Sequence, residues 1–212
     1  MFREIAAHLD HHAPDAVLVI ATNPVDILTY VMQHLSRRPP ERVIGTGTML
    51  DTSRFRAALG DYYGVNPRSV HAYIMGEHGD SEFVAWSNAY MGSNKLNDHI
   101  SDKDKEEIAL IVKNAAYEII KRKSATYYAI GMVMVRITNA ILDDENSILT
   151  VSAYDEVEQL YIGMPSIVGK EGVKEVLQLN LTEEEKEKFR KSAQVIRNGI
   201  SGLDVEQFTK KV

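Results

Sequence analysis

The chain has no cysteine. This excludes disulfides and thiolate metal sites, and it fits a cytoplasmic protein. No apolar run approaches the roughly 20 residues that cross a bilayer. The opening Met1-Phe2-Arg3-Glu4-Ile5 is interrupted by charge where a signal peptide needs a continuous apolar stretch. Excess charge is small, −6 over 212 residues and dispersed, so no nucleic-acid surface is expected. A Gly-x-Gly-x-x-Gly turn is also missing. What remains is a chain 44% hydrophobic, ample for a packed core.

Apolar spacing organises that core. Phe2, Ile5, Ala6 and Leu9 recur at helical intervals and predict an amphipathic helix. Residues 16–21 form a short continuous apolar run ending in Thr22-Asn23-Pro24, the pattern of a strand buried on both faces of a parallel sheet. A helix over 25–35 and a second buried strand over 42–46 complete a βαβ unit. Gly45-Thr46-Gly47 lacks the third glycine of a phosphate-binding turn and reads as close backbone packing. A helix over 48–60 directs Leu50, Phe55, Ala58 and Leu59 to the core, and a strand follows over 70–75. A long helix is predicted over 102–123, with Ile108, Ile111, Val112, Ala115, Ile119 and Ile120 at three-four spacing, and another over 125–142. Strands are expected over 148–153, 161–167 and 176–181. Thr182-Glu183-Glu184-Glu185 is a capping box that opens a last helix.

A few side chains carry chemistry. His78 lies in a turn bracketed by Gly76 and Gly79, and imidazole titrates near neutrality, so it can donate a proton. Asp51 and Arg54 share one face of a helix. The carboxylate can orient an imidazole ring and stabilise its charged form. The guanidinium can grip a carboxylate through two parallel hydrogen bonds, which lysine cannot. Taken singly, these are a surface histidine and a surface salt bridge. Asn23 ends a buried strand, where the ligand crevice of an open α/β sheet lies. Asn23-Pro24 is either a cis bond or an ordinary strand-ending proline. His71, Glu77, His78 and Asp80 match no standard ligand spacing, so no metal is expected there.

Four segments occur in order: Ala21-Thr22-Asn23-Pro24-Val25-Asp26, Gly45-Thr46-Gly47-Thr48-Met49-Leu50-Asp51-Thr52-Ser53-Arg54-Phe55-Arg56, His71-Ala72-Tyr73-Ile74-Met75-Gly76-Glu77-His78-Gly79-Asp80-Ser81-Glu82 and Ala125-Thr126-Tyr127-Tyr128-Ala129-Ile130-Gly131. Together they resemble the L-lactate dehydrogenases of the lactate/malate dehydrogenase family. The resemblance implies an α/β fold in which residues 1–45 end a doubly wound NAD-binding domain and residues 46–212 form an α+β substrate domain. It implies NAD as cofactor and reversible reduction of pyruvate to L-lactate. His78 would give the proton and Asp51 would orient it. Arg54 would hold the substrate carboxylate, Asn23 the substrate oxygen, and Thr126 would line the pocket. Thr22 and Asn23 would meet the cofactor. Positions matching Arg56 and His71 form an anion site for the activator fructose 1,6-bisphosphate in bacterial members, and the family is usually tetrameric.

The sequence departs from that pattern. The glycine-rich turn, the first strands and the mobile loop with a second arginine have no counterpart in these 212 residues. The expectation is a C-terminal two-thirds, inactive alone, with the 17–21 strand edge left open. Lactate rather than malate specificity then rests on Glu77, Trp86-Ser87 and Thr126. The connection over 154–161 is shorter than the family's and is expected to be a trimmed hairpin. The alternatives are a dehydrogenase for malate or another 2-hydroxy acid, or a truncated non-catalytic oligomerisation module.

Overall fold

A computed structural model describes residues 1–123 and 127–203. Helix α1 (Phe2–His12) leads into strand β1 (Leu18–Ile20), α2 (Val25–Leu35), β2 (Val43–Gly45) and α3 (Met49–Tyr63). Five short strands follow: β3 (Val70–His71), β4 (Ile74–Met75), β5 (Phe83–Val84), β6 (Tyr90–Met91) and β7 (Asn94–Lys95). Then come α4 (Asp102–Lys123), α5 (Tyr128–Leu142), β8 (Ser147–Asp155), β9 (Leu160–Gly169), β10 (Gly172–Val176) and α6 (Glu183–Ser201).

β1 and β2 pair in parallel, Leu18 opposite Val43 and Ile20 opposite Gly45, as a βαβ unit requires. β2 meets β8 antiparallel at Gly45 and Ser152, and the sheet continues as β1-β2-β8-β9-β10. One sheet therefore joins the first and last thirds of the chain. β1 forms its edge, with no strand on its outer side among the described residues. The β2–β8 junction demands small residues. A Cβ at Gly45 would stand 2.5 Å from Thr29 Oγ1 and 2.7 Å from Ser152 Cβ, and one at Gly47 (φ +52) would fall on the backbone of Val151 and Ser152. Close packing accounts for both glycines.

The structure differs from expectation in several places. The strand over 70–75 is two strands, β3 pairing with β6 and β4 with β5. The break falls where Arg56 Nε takes the Ala72 carbonyl at 3.0 Å. The last strand lies at 172–176 rather than 176–181. After Val176 the chain leaves the sheet, and Leu179 and Leu181 pack as irregular backbone against α6. Along α4, Ile108 and Val112 are buried against Phe55 and Leu59 of α3, whereas Ile111 is exposed. Leu50 and Ala58 are half-buried at the margin of the core. The short 154–161 connection is a closed hairpin, with Asp155 pairing Leu160 and the Asp155 carboxylate accepting the Glu158 amide at 2.9 Å.

Arg38 ties the N-terminal helix to this frame. Its guanidinium is buried, donates to the carbonyls of Leu9 (3.1 Å), Ala13 and Ala16 (2.8 Å), and is paired with Asp10. It thus adds a second donor to the Leu9 and Ala13 carbonyls, which already accept the amides of Ala13 and Ala16. Arg38→Met removes these hydrogen bonds and leaves the half-buried Asp10 carboxylate with the Arg37 amide alone, and urea unfolding should show a loss of about 1–3 kcal/mol.

Candidate active site

Asp51 sits in the first turn of α3, and that helix is fixed against β4 by hydroxyls. Thr48 Oγ1 donates to the Ile74 carbonyl at 2.6 Å, and Thr52 Oγ1 accepts the Ile74 amide at 3.0 Å. The strand carrying Ile74 runs directly into the histidine loop, so the two contacts set Asp51 opposite His78. His78 Nδ1 lies 2.9 Å from Asp51 Oδ2, and Arg54 Nη1 lies 3.1 Å from Asp51 Oδ1. The imidazole contact is short but not aligned as a hydrogen bond. Such contacts commonly tighten only when substrate is bound. One nearly inaccessible carboxylate thus serves two cationic groups. Arg54 Nη2 is buried and has no partner.

The loop is held from three sides. Gly76 exchanges backbone hydrogen bonds with Gly163 of β9 at 3.0 and 2.9 Å. The Glu77 amide donates to Ser192 of α6 at 2.6 Å, and the His78 amide donates to Asp26 of α2 at 2.8 Å. Gly76 has φ +102, and a Cβ there would meet Ser192 Oγ at 2.5 Å, so only glycine suits both the turn and the neighbour. Glu77 turns back to accept from Ser81. It acts as a loop brace. Ser87 donates its amide to Glu185 at 2.9 Å, and Trp86 stands edge-on to Phe55 at 5.1 Å. In this structure both make packing contacts.

The electrostatics of the loop are shaped by acids. Asp51 beside the ring raises the His78 pKa above its usual value, more than burial lowers it. Burial and then the neighbouring Asp51 push Glu82 up to about 8. Two carboxyl groups this close do not both ionise easily. Burial also pushes Asp26 up to about 6. The nearby Ser152 offsets part of that rise, although its hydroxyl is not aligned as a hydrogen bond. Neither Asp26 nor Glu82 was singled out by sequence reasoning, although both close quoted segments. Asp26 shows itself only as an acid on the buried face of a helix's first turn.

Other expected residues fall as follows. Thr22 and Asn23 are exposed on the loop leaving the carboxyl end of β1, and Asn23-Pro24 is cis. Arg56 turns away from Arg54 to the β3–β4 junction, 5.4 Å from the Tyr73 ring, and burial lowers its pKa. His71 is exposed on β3. Thr126 lies outside the described residues. Asp51, His78 and Glu82 bring three ligand-type atoms within 4.8 Å of one another, the one such group among the described residues. Arg54 already puts a fixed positive charge on the same carboxylate, which disfavours a metal ion there.

Comparison with known proteins agrees with this geometry. The lactate/malate dehydrogenase alpha/beta C-terminal domain matches residues 48–206, and the NAD binding domain of the same enzymes matches residues 1–45. The chain belongs to the lactate/malate dehydrogenase family. L-lactate dehydrogenase of Salinibacter ruber is 48% identical over 215 residues, covering 97% of this chain and 68% of that protein. L-lactate dehydrogenase 2 of Bacillus cereus is 50% identical over 211 residues, covering 95% and 67%. Among solved structures, the minor L-lactate dehydrogenase of Enterococcus mundtii superimposes with a TM-score of 0.91 at 44% identity, covering 95% of this chain and 68% of that one. A lactate dehydrogenase from a deep-sea metagenome library gives 0.91 at 43% identity, covering 94% and 67%. The chain thus spans about two-thirds of its relatives' length. NAD is the cofactor of this family member. The residues present suit its reactive end, since the exposed Thr22–Asn23 loop adjoins the helix whose Asp26 holds the His78 amide.

The charge arrangement fixes a pH signature. A raised His78 pKa means that the pair stabilises the fold fully below about pH 6.5, and that this support is lost as the pH rises through the folded value. Following the His78 ring by NMR, Asp51→Asn should move its titration to lower pH. Glu82→Gln removes a weaker contribution, so it should lower that titration less than Asp51→Asn does and remove a second step near pH 8.

Proposed function

We propose that these residues perform the reversible NADH-dependent reduction of pyruvate to L-lactate. The observation that carries this reading is Arg54, whose Nη2 is buried without a partner beside a paired aspartate and histidine. A buried unpaired guanidinium nitrogen is costly unless an anion completes it, and a carboxylate does so in fork geometry. Bound there, a 2-keto acid places its carbonyl near His78. When bound, NADH would supply the hydride. His78, held charged by Asp51, gives its proton to the carbonyl oxygen and becomes neutral imidazole. In the reverse direction the neutral ring takes the hydroxyl proton, and Asp51 stabilises the resulting charge. Asn23 hydrogen-bonds the substrate oxygen, Thr22 and Asn23 meet the cofactor, and the family resemblance gives Thr126 to the substrate.

No glycine-rich dinucleotide turn occurs in these 212 residues. We therefore place turnover in a polypeptide that also carries one, assembled as a cytoplasmic homotetramer in glycolytic fermentation. Exposed Tyr128, Met132 and Val135 on α5 support further subunit contacts. Fluorescence titration with NADH and then pyruvate reduction should show no turnover by the chain alone. Fusion to the preceding segment of the Bacillus cereus relative should restore it. In that fusion Arg54→Lys should lower kcat/KM for pyruvate roughly 10- to 100-fold, matching the loss of a charge-assisted hydrogen bond of about 1.5–3 kcal/mol. Preference for oxaloacetate would assign malate instead. A fusion that neither binds NADH nor turns over would assign an oligomerisation module.

Fructose 1,6-bisphosphate activation is the second part of the proposal. Arg56 donates to the Ala72 carbonyl, next in the chain to the exposed His71 of β3, so a guanidinium and an imidazole are available there to a phosphate. In the fused enzyme, Arg56→Gln should abolish activation by the sugar bisphosphate while basal turnover persists. Intact activation in that variant refutes the assignment.

A further inference from the structure

Helix α1 carries three exposed histidines, His8, His11 and His12, that the active site does not use. At 3.6 residues per turn, positions 8, 11 and 12 share one face. The rings of His8 and His12 are nearly parallel, 11° apart with centroids at 6.2 Å. His11 stands edge-on to His12 at 4.6 Å. From this geometry we infer a binding site for a divalent transition-metal ion of the zinc, nickel or copper class, with His8 and His12 as its ligands and His11 beside it.

Three physical features support the site. Two imidazoles one turn apart on a helix face can turn their nitrogens to a single ion, and imidazole suits these metals rather than calcium or magnesium. The pair occupies the C-terminal half of α1, and His11 and His12 lie in its last turn, where the helix dipole favours positive charge. That end is also rigid. Arg38 holds the carbonyls of Leu9 and Ala13, which flank the histidines, and the Ala13 amide closes on Leu9 at 2.9 Å. Arg38 also engages Asp10, so the nearby carboxylate is committed elsewhere and the ligands are the imidazoles. Water completes the coordination. The expectation of no metal concerned the loop at His78, and α1 is a different place in the fold. The inference is independent of the proposed lactate chemistry.

Calorimetric titration of the untagged chain with zinc chloride at neutral pH tests it, with nickel chloride as a second probe. One saturable site is expected. His8→Ala and His12→Ala should each weaken it at least tenfold, and the double variant should remove it. All these side chains are exposed, so circular dichroism should show unchanged folding in every variant. His78→Asn should bind zinc as the parent does, because it alters only the Asp51–His78–Glu82 group. Absence of a saturable site, full binding by the His8→Ala His12→Ala double variant, or loss confined to His78→Asn would each overturn the inference.

Discussion

The structure turns on one carboxylate. Asp51 is almost wholly removed from water, and an isolated charge there would cost several kcal/mol. It is tolerated because Arg54 and His78 stand on its two oxygens. The same pairing arms both partners. The histidine keeps its proton because the aspartate is beside it. The arginine, with one nitrogen committed, is aimed with another still free.

That arrangement survives only if the histidine loop cannot drift. Its backbone is fastened to β9, α6 and α2, elements drawn from widely separated parts of the chain. The fastening through Asp26 is the subtle one. It joins the segment that matches the NAD binding domain to the histidine loop, by a carboxyl group that burial makes reluctant to ionise. The sheet makes the same connection on a larger scale, since β2 pairs with β8 at a point where glycine alone fits. The segments that match the two family domains are therefore joined through one sheet and one buried hydrogen bond.

The site is acid-rich, with Asp26, Asp51 and Glu82 gathered around one imidazole and one guanidinium. Burial and then the neighbouring Asp51 raise the Glu82 pKa to about 8, which keeps one of the three acids neutral near pH 7. Far from this centre, the Arg38 clamp solves a different problem by tying the end of α1 to the rest of the chain through two carbonyls and Asp10.

Much was legible from local pattern. The apolar run at 16–21 and the segment at 42–46 read as strands, and β1 and β2 stand within them. The Thr182–Glu185 capping box is present as written, because it depends only on residues three apart. Asp51, Arg54 and His78 were nameable because their chemistry is rare in combination. Other features were beyond any local reading. The strand over 70–75 splits because Arg56, from another helix, claims a carbonyl in its middle. Ile111 is exposed although its spacing matches the core, because spacing cannot say how wide a stripe the neighbouring helix covers. Asp26 and Glu82 became site residues only when folding brought distant segments to within a hydrogen bond or a few ångströms. The sequence by itself determined the elements and the chemical groups, since these follow from neighbours along the chain. Tertiary structure alone decided which carboxyl groups are buried together, and hence which stay protonated, because desolvation and Coulomb energy depend on distance in space.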